Sequence, residues 1–239
     1  MSGIFHTFFY QPLYNGFIYF MDVVPGIDAG VAIVLFTILI KLVLYPLSRK
    51  ATIAQVLMKK LEPELNSIKV KHKDDKQLQA KLTMELYKRE KINPFGSILP
   101  MIIQIPIIFA LYYIFLRSGL PDINSDLIYS FTARPEFINM NFLGLINITQ
   151  KSVILALLAG VSSFFQMKFS LASQGVPQQG SDGSFQSELA RSMNMQMKYV
   201  FPVIVFFISY KISGVVALYW FTSNLFTLAQ DYYIRTKLV

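Results

Sequence analysis

The chain has 239 residues and a formal net charge of +8; 54% of its residues are hydrophobic and 15% are charged. Soluble domains average about 45–50% apolar and about 25% charged residues, so this composition excludes an ordinary soluble domain and favours an integral membrane protein. The chain has no cysteine, which excludes disulfide bonds, zinc-finger sites and thiol catalysis.

In residues 1–27, Phe side chains are interspersed with polar ones, and this segment contains no Lys or Arg. This pattern predicts an amphipathic segment in the outer membrane interface, with a frayed hydrophobic terminus as the alternative, and it argues against a cleavable signal peptide. Five later stretches are long and apolar enough to cross about 30 Å of hydrocarbon as helices. They are residues 28–47, 96–116, 150–169, 196–211 and 214–233.

The basic residues are distributed unevenly between the predicted loops. Twelve of the 22 Lys and Arg lie in residues 49–91. By the positive-inside rule this loop is cytoplasmic, with the N-terminus outside and the C-terminus in the cytoplasm. We therefore predict an all-α protein of the cell inner (cytoplasmic) membrane, with a five-span core made of residues 28–48 and 92–239.

Residues 49–91 repeat apolar side chains at helical spacing on both sides of the charged stretch 69–76, which predicts a cytoplasmic helical hairpin. Its basic surplus suits anionic lipid headgroups, ribosomal RNA or acidic proteins, although its lysines also fit a solvated face that only sets topology. The candidate partner-contact residues are Lys59, Lys60, Lys69, Lys73, Asp74, Asp75 and Lys76.

Polar side chains form stripes along the predicted spans. Thr37, Lys41 and Tyr45 share one face of the first span, and the last span carries the densest stripe, around Asn224 and Thr227. Such stripes often join helices, but four of them with a lysine favour a shared hydrated cavity. A lysine in mid-helix costs about 2.5–3.5 kcal/mol on insertion scales. Lys41 is therefore a functional candidate, with snorkelling to the interface as the alternative.

Motifs of enzymes are missing from the sequence. It contains no GxxxxGK[ST], GxSxG or HExxH pattern, and His6 and His72 are too far apart in the predicted topology to share a metal. We therefore expect no enzymatic activity, no metal and no cofactor.

Several blocks in order resemble one family, the YidC-type membrane protein insertases, which include the Oxa proteins of mitochondria and the Albino proteins of chloroplasts. The blocks are KLVLYPLS (41–48), DDKQ (74–77), LYKREKINPFG (86–96), LPMIIQIPIIFALYY (99–113), VFPVIVFFI (200–208) and GVVALYWFTSNLFTLAQ (214–230). The resemblance covers about residues 10–235. We expect a short form of the family, without a large extracytoplasmic domain and with a C-terminal tail of only a few residues.

The resemblance implies a membrane protein insertase and chaperone that works without ATP hydrolysis. Its hydrophilic groove would open to the cytoplasm and the lipid, and would be lined by Lys41, Thr37, Tyr45, Gln104, Trp220, Ser223, Asn224 and Thr227. Family members usually carry Arg where this chain has Lys41, and lysine keeps the charge but loses the planar guanidinium fork.

The implied partners are nascent membrane proteins, the ribosome, the Sec translocon and anionic phospholipids, but not DNA. The alternatives are a small-solute channel or transporter, or a lipid scramblase, because either would use the same groove.

Overall fold

The computed structural model describes residues 3–24, 26–93, 96, 99–117, 120–132, 134–135, 137–171, 192 and 195–237. These residues are mostly helical, as the sequence predicts. The helices are α1 (Gln11–Val23), α2 (Ala29–Val43), α3 (Tyr45–Lys60), α4 (Glu62–Lys71), α5 (Lys76–Arg89), α6 (Leu99–Leu116), α7 (Val153–Leu171), α8 (Phe201–Ile212) and α9 (Gly214–Lys237). Residues 97–98, in the second predicted span, and 172–191, in the loop before the fourth, lie outside the described residues.

The chain divides into two compact units. The first contains Met1–Val43, Met101–Ser163 and Pro202–Thr227; the second contains Leu44–Pro100, Phe164–Phe201 and Leu228–Val239. The first unit therefore holds α1, α2, most of α6 and α8, and the first parts of α7 and α9. The second unit holds α3, α4, α5 and the last parts of α7 and α9.

Helix α1 contributes to the core of the first unit. Tyr14 and Phe17 are fully buried, and the Phe17 ring packs edge-on against Phe115 with 4.9 Å between centroids. Asn15 is also buried; its amide donates to the Leu127 carbonyl at 2.7 Å and its carbonyl oxygen accepts from the backbone N–H of Tyr129 at 2.7 Å. The side chains of Tyr14 and Asn15 are both buried, and their hydrogen bonds to Asn124, Leu127 and Tyr129 join α1 to the loop after α6.

A short β-hairpin interrupts the otherwise helical chain. β1 (Asn141–Phe142) pairs antiparallel with β2 (Ile146–Asn147). The backbone around this β-hairpin is bonded to two helix starts: the N–H of Ala29 donates to the carbonyl of Asn139 at 2.8 Å, and the N–H of Val215 donates to the carbonyl of Ile148 at 2.9 Å. The all-α prediction missed it because two-residue strands carry no alternating pattern.

The first predicted span, 28–47, is not one continuous helix. Helix α2 ends at Val43 and α3 begins at Tyr45, with Leu44 between them. Pro46 is the cause, because proline has no N–H to donate to the carbonyl of residue 42 and instead occupies the first turn of a new helix. The Ser48 hydroxyl and its N–H both donate to the Leu44 carbonyl at this break.

In the second unit, α4 and α5 pack around buried Leu61, Leu86 and Ile92. The predicted connection, 69–76, is shorter in the structure because α4 continues to Lys71 and α5 begins at Lys76. Asp75 caps α5 by accepting the N–H of Leu78 at 2.9 Å. The predicted first limb is also divided at Leu61, since Pro63 opens the new helix α4.

Length and composition identify one described helix, Val153–Leu171, that could cross a membrane. Ala29–Val43 and Tyr45–Lys60 meet the same criteria only when they are taken together as one broken span. The number of spans, five, and their orientation therefore stay predictions.

Candidate functional site

The candidate site is a polar cluster in the first unit, built around Lys41 in the last turn of α2. The Nζ of Lys41 donates to Oε1 of Gln104 on α6 at 3.3 Å and to the Thr227 hydroxyl on α9 at 3.2 Å. Both acceptors are neutral groups, which satisfy hydrogen bonds of an ammonium without adding a negative charge. Lys41 is half-buried, so part of its side chain stays accessible.

The cluster continues from Gln104 to α9. The amide of Gln104 donates to the Tyr219 hydroxyl, which also shares a hydrogen bond with the Ser223 side chain. Tyr219, Ser223 and Thr227 follow one another at four-residue intervals, so they share one face of α9. Because Tyr219 and Ser223 are almost fully buried, they hold Gln104 from the protein side. Sequence reasoning missed Tyr219, although this spacing was a usable signal.

Asn224 joins α9 to α7. Its amide donates to the hydroxyl of Ser163 at 2.8 Å and to that of Ser162 at 3.1 Å. Both serines are buried, and the Ser162 hydroxyl donates in turn to the Ala159 carbonyl. The polar residues of α7 and Asn224 therefore act as helix-to-helix contacts, as small polar residues do in membrane bundles.

Three predicted groove residues lie outside these contacts. Thr37 is buried and its hydroxyl donates to the Ile33 carbonyl of its own helix at 2.6 Å. Tyr45 lies on α3 in the second unit and is half-buried. Trp220 is half-buried on α9, one residue after Tyr219. The structure therefore joins Lys41, Gln104, Ser223 and Thr227 in one network and Asn224 in a second one.

The predicted partner-contact residues of the second unit are all exposed: Lys59, Lys60, Lys69, Lys73, Asp74, Asp75 and Lys76. On the same helices Arg89 forms ion pairs with Glu64 at 2.6 Å and Glu90 at 2.9 Å. The hydrogen bonds to Glu90 and Glu64 raise the pKa of Arg89 above its usual value, so this side chain stays cationic.

A buried ion pair lies near the end of α9 in the second unit. Arg235 and Asp231 approach to 3.7 Å, with 10% and 9% of their side chains exposed. Asp231 also accepts the Thr52 hydroxyl at 2.8 Å, and the Arg235 guanidinium lies over the Phe169 ring. The four-residue spacing of Asp231 and Arg235 was a usable signal for this pair in the sequence.

The first unit also holds a cavity of about 420 Å³ on the opposite face of α9. Its lining is apolar apart from Thr222, whose hydroxyl donates to the Leu218 carbonyl of its own helix. Phe142 of β1 and Val34 of α2 are among its walls. The cavity does not include Lys41, so the polar cluster and the cavity are separate features of α9.

The comparisons with known proteins agree with each other. Residues 20–239 match the model of the family described as 60Kd inner membrane protein. The chain is 36% identical over 211 residues to the membrane protein insertase YidC of Fusobacterium nucleatum, covering 87% of this chain and 86% of the relative. It is 31% identical over 213 residues to the protein of the same name in Clostridium tetani, covering 89% and 83%. The insertase YidC of Francisella tularensis subsp. novicida is 33% identical over 205 residues, which are 86% of this chain and 32% of the relative.

Proposed function

The chain belongs to the 60Kd inner membrane protein family, and from this premise we propose that it is a membrane protein insertase and chaperone. The observation that carries the proposal is the Lys41 cluster: a cationic side chain held by neutral acceptors on α6, which is strongly apolar, and on α9, which carries a polar stripe. Relatives named as insertases match nearly the whole chain, which supports the same function.

The proposed substrate is a nascent membrane protein with a short polar segment next to an apolar helix. Hydrocarbon cannot satisfy the polar groups of such a segment, and each unsatisfied group costs several kcal/mol. A hydrated groove beside Lys41, Gln104 and Thr227 would supply hydrogen bonds, and the lysine would attract an acidic residue of the client.

The proposed driving force is the transfer of the client's apolar helix into lipid. Burial of apolar surface yields roughly 25 cal/mol per Å², so a helix of ordinary length repays the cost of moving a short polar tail without ATP. The membrane potential assists outward transfer of negative charge by about 2.3 kcal/mol per charge per 100 mV. In this proposal the core has five spans with the N-terminus outside.

We assign the exposed basic surface of α4 and α5 to the cytoplasmic side, where it would meet ribosomes, the Sec translocon or anionic headgroups. The seven candidate contact residues, which include Lys59 and Lys60 at the end of α3, are all exposed, as contact with a partner requires. Asp75 also has a structural role, because its carboxylate caps the N-terminus of α5.

The test replaces Lys41 with Ala, Glu and Arg in cells depleted of their own insertase. The readout is insertion of a single-span client with an acidic N-terminal tail. We expect Lys41→Ala and Lys41→Glu to lower insertion strongly and Lys41→Arg to preserve it. Lys211→Ala is the matched control, because Lys211 is an exposed lysine in the last turn of α8.

Full insertion by Lys41→Ala at normal protein levels would overturn the electrostatic role. If the native chain inserts no client at all, the insertase proposal itself fails, and flux of small solutes or lipids through the reconstituted protein becomes the next measurement.

A further inference from the structure

The loop of the β-hairpin has a leucine, Leu143, at a position with positive φ, where glycine or asparagine is usual. The N–H of Leu145 donates to the carbonyl of Phe142 at 2.9 Å, which closes a tight turn around Leu143 and Gly144. Both central residues have left-handed backbone angles, with φ of 52° at Leu143 and 72° at Gly144. Turns of this kind prefer Asn-Gly or Gly-Gly, because a branched side chain clashes with the backbone at positive φ. Leucine at this position is therefore strained.

The surrounding contacts hold the strained turn in place. The N–H of Leu143 donates to the Asp28 carboxylate at 3.1 Å, and the same carboxylate accepts the N–H of Val31 at the start of α2. The Phe142 side chain packs directly on Gly30, where an added Cβ would lie only 2.6 Å from the Phe142 Cγ. Asn or Gly at position 143 would make the same turn with less backbone strain. The strain is nevertheless maintained by these contacts, which indicates that the Leu143 side chain has a function.

The leucine side chains contribute little to the protein interior. Leu143 is 62% exposed and Leu145 is 84% exposed. A single exposed leucine is ordinary on a protein surface, but these two lie together at the tip of a fixed turn and form a small exposed apolar patch.

The tip stands where three helices begin. Backbone hydrogen bonds join the β-hairpin region to the starts of α2 and α9, at Ala29 and Val215. Helix α7 begins at Val153, six residues after β2, and its Val153 and Ile154 side chains are 56% and 64% exposed. Because α7 is the described helix that is long and apolar enough to cross a membrane, the proposed function places this end of the first unit at a membrane surface.

We propose that the tip, Leu143 to Leu145, is a lipid anchor that inserts its two leucine side chains between the headgroups and acyl chains of the leaflet where α2, α7 and α9 begin. Insertion places the exposed leucines in hydrocarbon, which offsets the strain of the turn. The proposal rests on the membrane placement in the proposed function and does not depend on client insertion.

The test uses the absence of cysteine in the native chain. Leu145→Cys and, as the matched control, Asp126→Cys are labelled with an environment-sensitive fluorophore in the full-length protein reconstituted into phosphatidylcholine vesicles. Asp126 is an exposed residue in the loop between α6 and the β-hairpin. We expect brominated lipid to quench the labelled Leu145→Cys variant several-fold more than the control, and aqueous iodide to quench it several-fold less.

Equal iodide quenching at both positions overturns the proposal, and so does protection from iodide without quenching by brominated lipid, since that result places the tip against protein. A second variant separates anchoring from folding. Leu143→Asn in the labelled Leu145→Cys background should lower quenching by brominated lipid and raise the melting temperature in detergent, because Asn adopts positive φ with less strain. Unchanged lipid quenching in this variant also contradicts the anchor. Neither readout needs a client, so failure of the insertase function is seen separately.

Discussion

The hydroxyl of Thr227 lies 3.2 Å from the Nζ of Lys41 and donates its own proton to the Ser223 carbonyl at 2.8 Å. One donor bond within α9 therefore turns the lone pairs of Thr227 towards the lysine. This arrangement fixes where the ammonium sits, and it gives Thr227 a positioning role that the charge of Lys41 alone does not reveal.

Replacing Thr227 with valine keeps the shape of the side chain and removes the acceptor. We expect a loss of about 1 kcal/mol in unfolding free energy, the usual net value of one hydrogen bond, and a smaller loss of client insertion than for Lys41→Ala. Thermal unfolding in detergent and the insertion assay measure the two effects. Thr236→Val is the control, because Thr236 makes the same bond to its own helix, at Tyr232, but is exposed. Equal effects of both substitutions would remove the positioning role.

Replacing Asn224 tests whether its bonds to α7 join the two helices. A double-mutant cycle of Asn224→Ala with Ser163→Ala should give a coupling free energy of about 0.6 kcal/mol, and not above about 1.7 kcal/mol, as for other hydrogen bonds between membrane helices. Strictly additive effects would show that the 2.8 Å contact contributes nothing to stability.

Replacing Asp231 with Asn leaves Arg235 without its carboxylate in a buried setting. We expect the unfolding free energy to fall by about 3 kcal/mol, since removal of one partner of a buried pair leaves an uncompensated charge. Glu64→Gln is the comparison, because its ion pair with Arg89 is shorter but exposed, and solvent screens it. Similar melting temperatures for both variants would contradict the importance of burial.

Replacing Gly30 with Ala introduces a methyl group against the Phe142 ring. We expect a loss of about 1–3 kcal/mol from overpacking, reduced by the better helix propensity of alanine. Phe142→Ala should recover only the part of the loss that the ring causes, because the Cβ of residue 142 also lies 2.6 Å from the position of the new methyl group. Gly3→Ala is the control, because no described atom lies within 4 Å of the Cβ added there. Calorimetry or thermal unfolding in detergent gives the comparison, and absence of any rescue would show that the ring does not cause the loss.

Lys41 could be singled out from the sequence because a lysine inside an apolar helix is costly, but no pattern showed that Gln104 and Thr227 would be its acceptors. A lysine inside an apolar helix must have a compensating environment, and four-residue spacing brought Thr227 and Ser223 to one face of α9. Tyr219 escaped notice because tyrosine is common in membrane helices and hydropathy does not distinguish a buried hydroxyl from an interfacial one. The pairing of Asp231 with Arg235 had a local signal that was not used, because the two residues are four apart on α9. The burial of the pair and its contact with Thr52 depend on tertiary packing, which no local pattern encodes.

The fold was predictable where apolar runs are long and less so at their ends. The break at Leu44 lies within a continuous apolar stretch, so hydropathy alone predicts one helix there. Pro46 could have indicated the break, because proline is favoured in the first turn of a new helix. The β-hairpin depends on the Asp28 carboxylate and on backbone bonds to distant helix starts, which cannot be deduced from two-residue strands.

The bonds at the starts of α2 and α9 also have an electrostatic consequence. A helix start normally offers unsatisfied N–H groups and a partial positive charge, which attract anions. Here the carbonyls of Asn139, Ile148 and Gln150 and the carboxylate of Asp28 accept such N–H groups. Acidic segments are therefore attracted less strongly to this end of the first unit than bare helix dipoles would allow. Lys41 lies in the last turn of α2, so this helix carries a positive charge near its end and bonded N–H groups at its start.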